Sequence, residues 1–215
     1  MSKFKAILFD LDGTLTDSGE GITKCAALAL GHFGLPIPAP SEMRKFVGPP
    51  LRDTFMKYGV KKEDVEEAIR VYRSRYTTVG KFENFPYPGI RELLEKLKNQ
   101  DHRLFVATSK PEHMSVEILD KFELSQYFEI IAGATLDKGR DSKEAVIAYL
   151  LERTGGVDSA IMVGDTAFDV LGAKAHGIPT IGVAWGYGEV KDMVDAGAAA
   201  IAGNPEELYH LLNAE

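Results

Sequence analysis

The chain has very few of the residues that stabilise secreted or membrane proteins. Among its 215 residues there is one cysteine, Cys25, and one tryptophan. A single cysteine cannot close a disulfide within the chain, so a reducing compartment is expected. No apolar run is long enough to span a bilayer, and residues 1–5 lack the apolar region of a secretory signal. We therefore expect a soluble cytoplasmic protein that does not bind membranes.

The chain also has fewer basic than acidic residues: 25 Lys and Arg against 32 Asp and Glu, which gives a formal net charge of −7. This balance argues against binding to nucleic acid polymers or anionic membranes, which requires a basic surface. A small anionic substrate stays compatible with it, since a bound metal ion can supply local positive charge. The length suits one domain or one domain with a small insert. Composition leaves open whether the chain is a monomer or a homodimer.

Short apolar segments alternate with amphipathic helical patterns through most of the chain. The segments predicted as strands are 4–9, 103–108, 128–132, 160–164 and 179–184. Between strands, Ile90, Leu93 and Leu97 share one helical face. Strand–helix alternation predicts an α/β fold, with a doubly wound, mostly parallel Rossmann-like sheet and right-handed crossovers.

One stretch breaks this alternation, because residues 17–85 carry only helical patterns. Its first helix is predicted to begin at Ser18 and to end at Gly34, and a further short helix to begin at Ser41. A crossover this long and wholly helical predicts an inserted all-α subdomain. The α/β core would then comprise 1–16 and 86–215.

Paired acidic residues follow two of the predicted strands. Asp10 and Asp12 follow the first, and Asp165 and Asp169 follow the strand at 160–164. Two carboxylates about 4 Å apart repel by roughly 4 kcal/mol at an effective dielectric near 20. If the two strands are neighbours, the four acids converge and predict a site for a hard cation such as Mg²⁺. Taken singly, each acid has an ordinary alternative role, as a turn residue or, for Asp165, as a helix N-cap.

Two further segments could bind an anion beside these acids. Thr108 and Ser109 end the second strand before a predicted helix, whose first N–H groups would form a phosphate cradle. Ordinary N-capping by Ser109 is the alternative. Lys143 lies in the first turn of another predicted helix, which Asp141 and Glu144 would open as a capping box. A cation is unfavourable there unless an anion lies opposite.

Taken together and in order, these segments resemble a known family. Asp10-Leu11-Asp12-Gly13-Thr14, Thr108, Lys143 and the run from Gly164 to Asp169 resemble the four motifs of the haloacid dehalogenase superfamily, in its phosphatase branch. The helical insert resembles that superfamily's first type of cap, and the Thr-Ser-Lys-Pro run resembles phosphoglycolate phosphatase-like members, a group that includes nucleotidases. Many relatives have Lys-Pro-x-Pro around the third-motif lysine. That pattern is missing after Lys143, so Lys138 stays open for this role.

The resemblance implies a Mg²⁺-dependent phosphatase that hydrolyses a small phosphate monoester through an aspartyl-phosphate. Asp10 would be the nucleophile and Asp12 the general acid and base. Thr108, Ser109 and Lys143 would bind the phosphoryl oxygens. The metal ligands would be the four aspartates Asp10, Asp12, Asp165 and Asp169 and the carbonyl of Leu11.

Substrate selection is assigned to the insert, with Gly48 and Arg52 as its candidate residues. Gly48 permits close approach and Arg52 could meet an acidic group; a solvated helix connector is the alternative. The sequence does not choose between phosphoglycolate, a nucleotide and other phosphates. Two other functions compete: a phosphomutase of the β-phosphoglucomutase type, and a receiver-like module that only binds phosphorylated ligands.

Overall fold

The computed structural model describes residues 4–136 and 139–213. The strands are β1 (Ala6–Phe9), β2 (Thr16–Asp17), β3 (Phe85–Pro86), β4 (Arg103–Pro111), β5 (Ile130–Ala134), β6 (Ala160–Gly164), β7 (Thr180–Val183) and β8 (Ala200–Ala202). The α-helices are α1 (Gly19–His32), α2 (Pro40–Met43), α3 (Leu51–Lys57), α4 (Val65–Tyr76), α5 (Ile90–Lys98), α6 (Glu112–Lys121), α7 (Lys143–Thr154), α8 (Ala167–Lys174), α9 (Val190–Ala196) and α10 (Pro205–Asn213). Within the described ranges, no helix has both the length and the apolar character that crossing a bilayer would need.

The chain divides into two compact units, of which Asp17–Phe85 is one and the rest of the described chain is the other. The larger unit contains a six-stranded sheet in the order β5-β4-β1-β6-β7-β8, and its pairings are parallel. This confirms the predicted doubly wound α/β fold. Strand β8 was not predicted, because a three-residue segment of Ala, Ile and Ala carries little β signal.

Strand β1 lies at the centre of this sheet and is buried on both faces. Because successive side chains point to opposite faces, Ile7 and Phe9 pack in one core cluster with Leu94 of α5. Leu8 packs on the other face in a second cluster with Ile147 of α7. Burial on two faces explains why this strand reads as a continuous apolar run instead of an alternating one.

The smaller unit is helical in the described structure apart from its ends, where β2 and β3 pair as a two-stranded sheet. Helix α1 packs against α4. Ser18 occupies the N-cap position of α1, and Gly34 follows the helix with a φ of 65°, as its predicted stop. The predicted start at Ser41 was wrong by one residue, because Pro40, whose φ is already helical, takes the first position of α2.

Two predicted helix starts in the larger unit were also wrong. Strand β4 continues past Ser109 to Pro111, with an irregular register against β5 after Ala107, and α6 begins only at Glu112. Ser109 therefore does not cap a helix. At α7 the N-cap is Ser142, whose hydroxyl accepts the Ala145 N–H at 3.1 Å, so the expected capping box from Asp141 does not form. Lys143 becomes the first residue of α7.

Candidate active site

The central strand and its neighbour bring the two acidic segments to one edge of the sheet. Strands β1 and β6 are parallel partners, with Phe9 opposite Val163. Asp10 follows β1 directly, and its N–H donates to the Val163 carbonyl at 2.9 Å. Asp165 follows β6 directly. Because both strands run the same way, both carboxylates reach the carboxyl edge of the sheet, where open α/β sheets bind ligands.

Three carboxylates meet at this edge: Asp10, Asp165 and Asp169 each offer an oxygen, and these oxygens lie within 4.8 Å of one another. Asp169 is held in place by Thr166, whose N–H and hydroxyl donate to its Oδ2 at 3.0 and 2.8 Å. Asp165 Oδ2 accepts the Tyr187 N–H at 2.8 Å. All three acids are buried, so fixed hydrogen bonds rather than bulk water set their orientation.

Lys143 occupies the centre of this acidic group. Its Nζ lies 2.8 Å from Asp10 Oδ1 and 2.6 Å from Asp169 Oδ1, and it donates to the Ala107 carbonyl at 2.9 Å. The side chain is 5% exposed. The two anions explain how an ammonium group tolerates the first turn of α7, where the helix dipole disfavours it.

A second lysine enters the site that sequence reasoning did not select. Lys110 Nζ lies 2.6 Å from Asp12 Oδ2, in an ion pair whose side chains are 4% and 12% exposed. Asp12 Oδ1 is also buried and has no hydrogen-bond partner among the described residues. In the sequence, the one feature that pointed to Lys110 was its place in the run Thr108-Ser109-Lys110-Pro111, next to the predicted phosphate-binding residues. Only the continuation of β4 to Pro111 shows that this lysine reaches the end of β1.

Burial of so many carboxylates perturbs their titration. Burial raises the pKa of Asp10 to about 6, with Lys143 opposing the shift and Asp169 adding to it. Burial, followed by Asp169 and Asp10, raises the pKa of Asp165 well above its usual range. Burial opposes the charged form of Lys143, but Asp10 and Asp169 outweigh it and raise its pKa. Burial is thus the main cause of both raised carboxyl pKa values, and neighbouring carboxylates add to it.

The charge and donor set of this cluster fit a divalent cation. Counted formally, the four aspartates at −1 each and the ammonium groups of Lys110 and Lys143 at +1 each sum to a charge of −2. The atoms that could ligate a metal ion here are carboxylate oxygens, which suit a hard ion such as Mg²⁺. Asp10 Oδ1 and Asp169 Oδ1 are buried, and the Lys143 ammonium lies between them. Asp10, Asp165 and Asp169 could thus hold the ion.

Two residues predicted as metal ligands are engaged elsewhere. The Leu11 carbonyl accepts the N–H groups of Thr14, Leu15 and Thr16 at 3.0 to 3.3 Å. These hydrogen bonds engage its lone pairs within the turn, and the ligand role of Leu11 stays a prediction. The carboxylate of Asp12 lies outside the group of three described above and pairs with Lys110 instead.

The predicted phosphate-binding residues differ in their surroundings. Thr108 is buried on β4 beside β1, and its Oγ1 accepts the Lys110 N–H at 3.3 Å. Ser109 is exposed and lies three residues before the first residue of α6, so no helix N-terminus forms a cradle at its position. Lys138, the alternative to Lys143, lies outside the described residues.

The two candidate specificity residues lie in the helical unit. Gly48 has a φ of 97°, a left-handed conformation that suits glycine. Arg52, on α3, forms an ion pair with Glu66 of α4. The charge of Arg52 is therefore already matched within its own unit.

Comparisons with known proteins agree with this geometry. The sequence model of a family described as Haloacid dehalogenase-like hydrolase matches residues 7–183. The chain is 41% identical to a 5'-nucleotidase of Pseudomonas aeruginosa, over 89% of this chain and 87% of that protein. It is also 41% identical to the tyrosine-protein kinase PtkA of Mycobacterium tuberculosis, over 97% of this chain and 71% of that protein.

A phosphoglycolate phosphatase of Aquifex aeolicus is 34% identical over 88% of this chain and 89% of its own. Among solved structures, a predicted phosphatase from Clostridium acetobutylicum superimposes with a TM-score of 0.92 at 43% identity, over 97% of this chain and 98% of that one. These likenesses span both units of the chain, so they concern the whole described fold.

Proposed function

Since the chain belongs to the haloacid dehalogenase-like hydrolase family and is a phosphoric monoester hydrolase, we propose that it acts through a phosphorylated Asp10. The observation that carries this proposal is the position of Asp10. It directly follows the central strand and is buried, with a cation, Lys143, 2.8 Å from one of its oxygens. A carboxylate set against a fixed positive charge can approach an anionic phosphate that would otherwise repel it.

Two displacements at phosphorus make up the reaction. In the first, an Asp10 oxygen bonds to phosphorus while the ester P–O bond breaks, and Asp12 gives a proton to the departing alcohol. In the second, water attacks the acyl phosphate, Asp12 takes its proton, and inorganic phosphate leaves as the Asp10 carboxylate is restored. One carboxyl group then serves as acid and later as base.

Lys143 and Thr108 are proposed to bind the transferring phosphoryl oxygens. Support comes from the place of Lys143 between Asp10 and Asp169 and from the burial of Thr108 on the strand beside β1. Both would stabilise charge on the equatorial oxygens of the transition state. Ser109 is exposed, so we assign it a weaker contact at the edge of the phosphate.

Mg²⁺ is the proposed cofactor, held by Asp10, Asp165 and Asp169, and when bound it would offset repulsion between the nucleophile and the phosphate dianion. The three buried carboxylates and the −2 charge of the cluster support this choice. A cytoplasmic location remains a prediction.

The helical unit is proposed to select the substrate, as a cap with Gly48 and Arg52 among its contacts. Arg52 would have to exchange its partner Glu66 for an acidic group of the substrate. The names of the relatives support two substrate classes, nucleoside monophosphates and phosphoglycolate. An Arg52→Ala variant should change the ratio of kcat/KM between these two substrates, since that ratio measures discrimination.

Phosphate release from a panel of phosphate monoesters, with Mg²⁺ and with a chelator, tests the proposal. Asp10→Asn should lower kcat by a factor on the order of 10⁴ or more, because it removes the nucleophile. Asp192→Asn, an exposed residue of α9, is the matched control and should stay within about twofold of the wild type. Substantial turnover by the Asp10 variant would overturn the proposed mechanism.

The same panel separates the competing functions. Return of the phosphoryl group to a sugar, rather than its release as inorganic phosphate, would favour the phosphomutase. Binding of phosphate esters without any turnover would favour the receiver-like module. Release that requires Mg²⁺ supports the phosphatase.

A further inference from the structure

The ion pair between Lys110 and Asp12 joins two segments 98 residues apart. It is almost fully buried and short, with Nζ and Oδ2 at 2.6 Å. Removing one partner of such a pair leaves an uncompensated buried charge, so the pair constrains both side chains strongly. The backbone of Lys110 is fixed as well, because its N–H donates to Thr108 Oγ1 at the end of β4.

The two oxygens of Asp12 have different surroundings. Oδ2 is taken by Lys110, while Oδ1 has no hydrogen-bond partner among the described residues although it is buried. A carboxylate held by one oxygen presents the other in a defined direction. A general acid requires this, because its proton must lie within hydrogen-bond distance of the leaving oxygen.

We infer that Lys110 is a positioning residue for Asp12, holding its Oδ2 so that Oδ1 faces the leaving group. The inference rests on the proposed function, in which Asp12 protonates the departing alcohol. A lysine that contacted the phosphoryl group itself would assist every substrate to a similar degree. A lysine that acts through Asp12 assists most where the leaving group needs a proton.

Two aryl phosphates of similar shape distinguish these roles. 4-Nitrophenolate leaves readily as an anion, whereas 4-methylphenolate is more basic and gains more from protonation. The comparison uses kcat/KM, because this ratio includes the first displacement and excludes the later hydrolysis of phosphorylated Asp10. Lys110→Met should lower kcat/KM for 4-methylphenyl phosphate by about 30-fold or more, and for 4-nitrophenyl phosphate by about threefold.

A double-variant cycle tests whether Lys110 acts through Asp12. Asp12→Asn should show the same preference for the nitrophenyl ester. Adding Lys110→Met to Asp12→Asn should lower kcat/KM by less than about twofold further. Lys191→Met, which breaks the exposed Lys191–Asp195 pair of α9, is the matched control. It should change kcat/KM for either ester by no more than about twofold. If Lys110→Met does not fold, Lys110→Gln replaces it and should show the same selectivity.

If Lys110→Met lowered kcat/KM equally for both esters, or if the losses in kcat/KM of the two single variants multiplied in the double variant, the inference would be overturned while the phosphatase assignment stayed intact. A wild-type protein that hydrolyses neither ester nor any other phosphate monoester would instead overturn the proposed function. The two failures are thus distinguishable.

Discussion

At the scale of single residues, the geometry of the site depends on space as much as on charge. Gly164 ends β6 directly before Asp165, and a Cβ at this position would lie 2.3 Å from Asp169 Cγ and 2.4 Å from its Cβ. Real Cβ atoms do not approach so closely, so glycine is required for Asp169 to stand where Lys143 and Thr166 contact it. The motif's glycine therefore has a packing role beside the chemistry of its acids.

Gly164→Ala should displace the carboxylate of Asp169 and lower kcat by about 100-fold, the effect of moving a site group by about 1 Å. Overpacking should also lower the free energy of unfolding by about 1–3 kcal/mol. Steady-state kinetics and urea unfolding measure the two effects. Gly31→Ala, in α1, is the control, because a Cβ at this position would meet no atom within 4 Å. This variant should keep the wild-type kcat, and its free energy of unfolding should rise by about 0.5 kcal/mol. More than half of wild-type kcat in Gly164→Ala would contradict this account.

At the scale of the elements, helix starts decide where the site lysines stand. Helix α7 begins at Lys143 because Ser142 caps it. Successive residues of a helix lie about 100° apart around its axis, so Lys143, as the first residue of α7, has a direction that neither of its neighbours shares. The position of Lys143 against Asp10 and Asp169 is thus a property of the cap as well as of the lysine.

Ser142→Ala should lower the free energy of unfolding by about 1 kcal/mol, because the Ala145 N–H loses its acceptor. Ser142→Asp should restore it, since aspartate also caps and its charge suits a helix N-terminus. Asp141→Ala, one residue earlier, should change stability by less than about 0.5 kcal/mol. Chemical denaturation of the three variants measures these differences. A larger effect at Asp141 than at Ser142 would show that the helix begins where the sequence pattern first indicated.

At the scale of the whole molecule, the doubly wound topology gathers the site. Strand β1 sits between β4 and β6, so segments near residues 10, 110 and 165 end side by side. This gathering buries carboxylates beside one another: burial is the largest cause of the raised pKa values of Asp10 and Asp165, and repulsion from neighbouring carboxylates adds to it. A bound divalent cation would relieve that repulsion in the folded state only, and so couple metal binding to folding.

Mg²⁺ should therefore stabilise the wild-type chain without any substrate. At 100 times the dissociation constant the gain would be about 2.7 kcal/mol, which corresponds to a rise in Tm of roughly 5–10 °C for a chain of this size. Asp165→Asn, which removes one ligand, should lose most of this rise, while Asp192→Asn should keep it. Calorimetry with and without Mg²⁺ gives both values. An equal rise in the Asp165 variant would exclude this carboxylate as a ligand.

Sequence reasoning succeeded where the signal is local. The apolar run before Asp10 identified the central strand, and the acids after two strands identified one edge of the sheet. It failed where neighbouring structure outweighs local pattern. Ser109 looks like a helix cap, yet pairing with the adjacent strands carries β4 on to Pro111.

The sequence by itself determined the α/β architecture and the aspartates at its functional edge, because hydrophobic periodicity and residue order are local properties of a chain. Only the tertiary structure decided that Lys110 pairs with Asp12 and that Lys143 lies between Asp10 and Asp169. These contacts depend on which strands become neighbours and on where each strand and helix stops. Both are set by packing across the sheet, and no local pattern encodes the distance between side chains so far apart in the chain.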